Sequence, residues 1–238
     1  RLTVDENTLK GTKVGEILAT DDDCKASFAA TCKKPTYTIT ASDVAPNDYK
    51  AFTYVDGVIK VAKDSILDFE GQSEYTVHLV VKDGSDPTLS DGVDVKIIIN
   101  DVNDAPTYEE KEYVFEIHEK APKGEFVGSV VADDQDHWAV LHYALTDYEA
   151  NSGDASIFDI DEEGNIYLSS KSLNYETQKQ YQVWATATDN GKDKGFENYS
   201  ATTLVTIKII DDPDGPEIID DGKKSYDVKE NTVEEPIK

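Results

Sequence analysis

The chain has 238 residues, with 23 Lys and Arg against 49 Asp and Glu, giving a formal net charge of −26 at pH 7. That balance argues against nucleic acid or an anionic membrane as partner, since both reward clusters of Lys and Arg, and it favours cations or a basic partner. The apolar runs fall far short of the roughly 20 residues that a spanning helix needs, no signal-peptide pattern is found, and the length suits two domains of about 100 to 150 residues.

Taken in chain order, "VDEN" (Val4 to Asn7) ends the first predicted strand and sets Glu6 directly behind it. "ATDDD" (Ala19 to Asp23) follows the second strand, and Cys24 and Cys32 bracket a polar, alanine-rich loop. A disulfide is expected between them; closing so short a loop constrains the unfolded chain by roughly 2 to 3 kcal/mol, whereas two thiols without His or Cys neighbours make a poor metal site. Such a bond fits an extracellular setting. Asp56-Gly57 marks a turn, and "LDFE" (Leu67 to Glu70) places two acids between strands. Tyr75, Val77, Leu79 and Val81 alternate with polar or smaller residues, as a strand with one buried face does, and Asp83 follows. Val93, Val95, Ile97 and Ile99 alternate likewise and run into Asn100, Asp101, Asn103 and Asp104 before Pro106. Asn and Asp favour turns because their side chains bond their own backbone, but an oxygen-rich loop also suits a hard cation.

The second half repeats these landmarks in the same order. Glu119 in "IHEK" stands 113 residues after Glu6, "ADDQD" (Ala132 to Asp136) matches Ala19 to Asp23, and "LNYE" (Leu173 to Glu176) matches Leu67 to Glu70. Tyr181, Val183, Ala185 and Ala187 repeat the alternating strand, Asp189 corresponds to Asp83, and "IDDPDGP" ends at Pro216, 110 residues after Pro106. "VKEN", with Glu230, begins the series a third time. A fixed period exposes the structural unit. The expectation is an all-β chain of two tandem seven-strand Greek-key sandwiches, spanning 1–105 and 106–215, with 216–238 giving the first strand of a further, truncated unit. Loops of such a sandwich cluster at its two ends. Glu6, "LDFE" and the linker can therefore meet below the first unit, facing Asp134, Asp136 and Asp189 above the second, and Pro106 fixes the direction of the chain between them.

This set, a strand-A glutamate, LDxE, AxDxD, an Asp after the sixth strand and a DxNDxxP-type linker, resembles the cadherin repeat over essentially the whole chain. The resemblance implies Ig-like sandwiches with three Ca²⁺ between successive units. Glu6, Asp68, Glu70 and Asp104 would hold the outermost ion. Glu6, Glu70, Asp101, Asp104, Asp136 and the carbonyl of Val102 would hold its neighbour, and Asn103, Asp134, Asp136, Asp189 and the carbonyl of Ala105 the third. One departure is that His137-Trp138 stands where the family has Gly-x-Asn, so the last carbonyl ligand of the third ion is unassigned. Glu119, Glu176, Asp211 and Asp214 match at the second junction, but Asn174 replaces an Asp and Pro213 the linker Asn; no more than two weak ions and a flexible or bent exit are expected there. Asp21, Asp23 and Asp83 form a half-site for a preceding unit, implying a piece from inside a longer array.

The implied role is calcium-dependent cell-cell adhesion as part of an extracellular ectodomain, with other cadherin ectodomains as homophilic or heterophilic partners and membrane attachment through a transmembrane segment outside this chain. Asn198-Tyr199-Ser200 is a glycosylation sequon. Strand exchange through an N-terminal Trp is not expected, since Trp138 and Trp184 both lie in the second unit; Trp184 should point outward under neighbouring side chains. The electrostatics agree. Glu6, Asp68, Glu70, Asp101, Asp104, Asp134, Asp136 and Asp189 would share one junction, and two unit charges about 5 Å apart repel by roughly 3 kcal/mol at an effective dielectric of about 20. Two rival readings are a glycoside-hydrolase-like carboxylate pair and a bacterial calcium-stiffened adhesin or carbohydrate-binding sandwich. The first is disfavoured because the acids recur at the domain period and because His78, His118, His137 and His142 form no HExxH motif.

Overall fold

The computed structural model of the protein describes residues 1–20, 33–43, 45–169 and 173–215. Asp21, Asp23, Cys24, Cys32 and the further unit expected at 216–238 lie outside the described residues. The first seven strands are β1 (Leu2–Asp5), β2 (Lys13–Glu16), β3 (Thr36–Thr40), β4 (Phe52–Val55), β5 (Val58–Val61), β6 (Glu74–Lys82) and β7 (Ser90–Asn100). They form a four-stranded sheet β1-β7-β6-β3 and a three-stranded sheet β2-β5-β4. The second set comprises β8 (Thr107–Tyr108), β9 (Glu112–His118), β10 (Phe126–Ser129), β11 (Ala132–Asp133), β12 (His142–Asp147), β13 (Phe158–Ile160), β14 (Asn165–Leu168), β15 (Gln180–Thr188) and β16 (Ser200–Ile210). Its sheets, β9-β16-β15-β12 and β10-β14-β13, repeat the first order, and the two-residue ladder β8-β11 is added. The fold is all-β, and no helix among the described residues is long and apolar enough to cross a membrane.

Each core is built from β-branched and aliphatic residues at alternate positions, which fit a pleated, half-buried surface. Ile59, Leu67, Val77, Ile97 and Ile99 fill the first, and Ile166, Leu168, Val183, Val205 and Ile207 the second. Val93, expected to face inward, is 51% exposed. β7 has eleven residues and its inward face begins at Val95, whereas the strands of the facing sheet have four each and cover only part of it. Trp184 points out of its sheet and is covered as expected, its ring 5.3 Å from that of Tyr148.

Polar contacts show the repeat as clearly as the strands do. Asp48 accepts hydrogen bonds from Thr76 N–H and the Gln72 amide, and Asp154, 106 residues on, accepts them from Gln182 N–H and the Gln178 amide. The feature that positions the site is the pairing of first and last strands. β1 runs parallel to β7, with Val4 opposite Ile99, and β9 runs parallel to β16, with Ile117 opposite Ile209. Parallel neighbours leave a sheet at the same end, so the residue after β1 and the linker after β7 emerge together, and Glu6 N–H donates to Asn100 O at 3.1 Å.

Candidate metal centre

Glu6 is 3% exposed and ties two segments to one another. Its Oε2 accepts from Phe69 N–H at 2.7 Å and its Oε1 from Val102 N–H at 2.8 Å, joining the "LDFE" turn to the linker. Burial raises its pKa, while these two backbone bonds oppose the shift. Asp68 is exposed and closes the turn by accepting from Gly71 N–H, whereas Glu70, two residues on, is half-buried and directed at the linker acids.

The second set of strands supplies the opposite wall. Asp104 N–H donates to Asp136 Oδ2 at 2.7 Å, and the Asn103 amide donates to Asp189 Oδ2 at 2.9 Å and to Glu197 O at 3.0 Å. Asp189 is fully buried and also accepts from Gly191 and Tyr199 N–H. Asp134 Oδ1 accepts from Asp136 N–H. Ala105 is exposed beside the buried Pro106, and Val102 is held through its N–H to Glu6. Four residues that the sequence reading did not place among the ligands also act at the site. Asn7 and Gln135 donate to the two oxygens of Asp104, Trp138 donates to Asp101, and Gly191 packs so closely on Asn103 that a Cβ would lie 2.9 Å from its amide. Of these, Trp138 carried a signal, as the departure from the family pattern.

Oxygens of Glu6, Glu70 and Asp104 lie within 4.8 Å of one another, and so do those of Glu70, Asp101 and Asp136. Neither group includes Asp68, Asp134 or Asp189. Among the described residues, six buried side-chain polar atoms lack a hydrogen-bond partner, and five are Glu70 Oε2, Asp101 Oδ1, Asn103 Oδ1, Asp134 Oδ2 and Asp136 Oδ1. A buried oxygen left without a donor costs about 1 to 3 kcal/mol, so five at one junction demand an explanation. All are acceptors, and a hard cation that takes six to eight oxygens satisfies such a set where a protein donor does not. Desolvation raises the Glu70 carboxyl to about 7, with Glu6, Asp136 and Asp101 adding to the shift. Desolvation likewise raises Asp136 to about 6, helped by Asp101, Asp134 and Asp104, and raises Asp134. The residues fit Ca²⁺.

The second junction shares the scaffold but not the charge pattern. Glu119 accepts from Tyr175 and Asp212 N–H as Glu6 does from its two partners, and Asn174 closes its turn through Thr177 N–H as Asp68 does through Gly71. Oxygens of Glu119, Glu176 and Asp214 lie within 4.8 Å of one another. However, Lys120 stands where the first junction has Asn7, its ammonium 3.0 Å from Asp214 Oδ1 and donating to Pro213 O at 2.6 Å. Asp211, Glu176 and Asp214 are exposed, and His118 pairs with Asp212. Asp83 is half-buried, and its Oδ1 accepts from Ser85 and Asp86 N–H. Asn198 is exposed, with its side-chain oxygen accepting from Lys192 N–H.

The family model for the cadherin domain matches residues 1–100 and 113–210. Human protocadherin Fat 1 is 30% identical over 230 residues, which are 96% of this chain and 5% of that protein. Chimpanzee protocadherin gamma-A2 is 28% identical over 218 residues, 90% of this chain and 22% of that protein. The chain thus spans less than a quarter of either relative. The crystal structure of human protocadherin-24 EC1-2, form II, matches the fold with a TM-score of 0.65 at 24% identity, over 88% of this chain and 94% of that one. Two domain matches that together cover most of the residues, each falling on one of the two sets of strands just described, establish that the chain belongs to the cadherin family.

Proposed function

We propose that this chain is a calcium-stiffened segment of an extracellular adhesive ectodomain, with units at 1–105 and 106–215 and the start of another at 216–238. The observation that carries the reading is the set of five buried, partnerless oxygens at the first junction, all from residues that the repeat pattern had named. Glu6, Asp68, Glu70, Asp101, Asn103, Asp104, Asp134, Asp136 and Asp189, with the carbonyls of Val102 and Ala105, would hold three Ca²⁺ there. When bound, the ions supply +6 against the −8 of the carboxylates; the residues themselves link the "LDFE" turn, the linker and the loops of the second unit. At the second junction, Lys120 on Asp214 and the exposure of Glu176 and Asp211 support no more than two weak ions. Family membership argues against the catalytic reading and disfavours the bacterial adhesin or carbohydrate-binding alternative. Adhesion would engage other cadherin ectodomains, homophilically or heterophilically, with a membrane anchor outside this chain.

Calorimetric titration and small-angle scattering test the calcium reading together. Calcium binding and a maximum dimension that changes in chelator, with each sandwich still folded, are the expected results. A chain that takes up no calcium, or whose dimension is the same with and without chelator, overturns it. Calcium-dependent association by sedimentation, on this chain and on longer pieces of the ectodomain, tests the adhesive role.

A further inference from the structure

Trp138 belongs, with His137, to the stretch at which this chain departs from the family pattern at the first junction, and its contacts show what it does there. Its indole Nε1–H donates to Asp101 Oδ2 at 3.3 Å, while the other oxygen of the same carboxylate is among the buried atoms that accept nothing. Asp101 also belongs to the group in which oxygens of Glu70, Asp101 and Asp136 come within 4.8 Å of one another. The ring stacks on Phe196, with centroids 6.2 Å apart and planes at 17°. Phe196 precedes Glu197, whose carbonyl holds the Asn103 amide. Trp138 also shares a turn with Asp136, closed by Ala139 N–H on Asp136 O at 2.9 Å.

We infer that Trp138 is a positioning residue for the cation site of the first junction: braced by Phe196, its indole N–H ties one oxygen of Asp101 and directs the other toward Glu70 and Asp136. A donor that fixes a ligating carboxylate reduces the freedom lost on binding and sets the ligand's direction. Indole suits this position because it is a donor only and carries no charge. The indole itself restrains Asp101 as a neutral donor, while the Lys194 ammonium lies over its ring, 5.9 Å from the centroid. The second junction shows the contrast, since an ammonium there ties Asp214 and brings a charge of its own. Because Asp136 and Trp138 lie on one turn, the second unit moves a ligand and the anchor of a linker ligand as one body.

The inference rests on the calcium reading, and the test separates the two. Trp138→Phe keeps an aromatic ring to stack on Phe196 and removes the N–H. Calorimetry on the full chain is expected to show first-junction calcium affinity about tenfold weaker in Trp138→Phe, with its unfolding midpoint in chelator matching the parent's. Trp138→Ala, which also removes the stack, is expected to lower that midpoint. Tb³⁺ adds a spectroscopic readout. In a Trp184→Phe background Trp138 is the one remaining indole, and indole excitation is expected to sensitise Tb³⁺ emission that added Ca²⁺ suppresses and Trp138→Phe largely abolishes. Calcium affinity in Trp138→Phe within twofold of the parent, a chelator midpoint lowered as far as in Trp138→Ala, or no sensitised emission from Trp138 would overturn the positioning role. A parent chain that binds no calcium would instead overturn the reading on which it rests.

Discussion

Calcium added near pH 6.5 should expel protons from the first junction, and the structure sets how many. Burial and neighbouring acids hold Glu70 at about 7 and Asp136 at about 6. At about pH 6.5 the first is roughly three-quarters protonated and the second roughly one-quarter, so loading the site releases about one proton per chain, since carboxylates must be ionised to ligate. At about pH 8.5 both are already ionised and release falls close to zero. The sign for the metal-free chain is opposite to that of a salt-bridged carboxylate. Both folded-state values lie above the ordinary carboxylate range, so the folded chain binds more protons than the unfolded one. Their contribution to stability is therefore largest below that range and is lost as pH rises through about 6 and about 7. Calorimetry in two buffers of different ionisation enthalpy measures the proton count directly. Calcium binding near pH 6.5 with no proton release, or with the same release at both pH values, would refute the raised pKa values of these two carboxyls.

Further outcomes follow from single side chains. Asp136→Asn keeps an oxygen for Asp104 N–H but removes a charge from the cluster; calcium affinity should drop by at least about tenfold, with no loss of melting temperature in chelator, both readable by calorimetry. Lys120→Asn gives the second junction the residue that the first has at Asn7 and removes the ammonium from Asp214; the weakest calcium step should tighten severalfold, and an unchanged isotherm would show that Lys120 does not oppose the ion. Gly191→Ala places a methyl against Glu197 O and the Asn103 amide; denaturant unfolding should show a loss of about 1 to 3 kcal/mol, the usual cost of overpacking, with the first junction's calcium affinity falling alongside it.

The acids could be read from the chain because they recur with the repeat. Glu6 and Glu119 follow strands whose alternation is visible within ten residues, and the linker acids stop abruptly at proline. Local pattern determined that these groups lie at the ends of sandwiches, and the direction of the linker brought the two ends together. It did not distinguish Asp68 from Glu70, two acids of one turn: the first closes the turn at the surface, while the second lies half-buried against Asp101 and Asp136. Nor did it set how far the inward face of β7 extends, since the exposure of Val93 depends on the length of strands in the facing sheet. Asn7 reaches Asp104 across 97 residues and Trp138 reaches Asp101 across 37. Such pairings leave no periodic trace, because they depend on the parallel register of first and last strands and on how one unit's loops meet the next unit's linker. The sequence alone determined the repeat, the β class and which residues carry the negative charge. Tertiary structure decided which carboxylate oxygens are stripped of water and left without donors, because desolvation is a property of packing between segments distant in the chain.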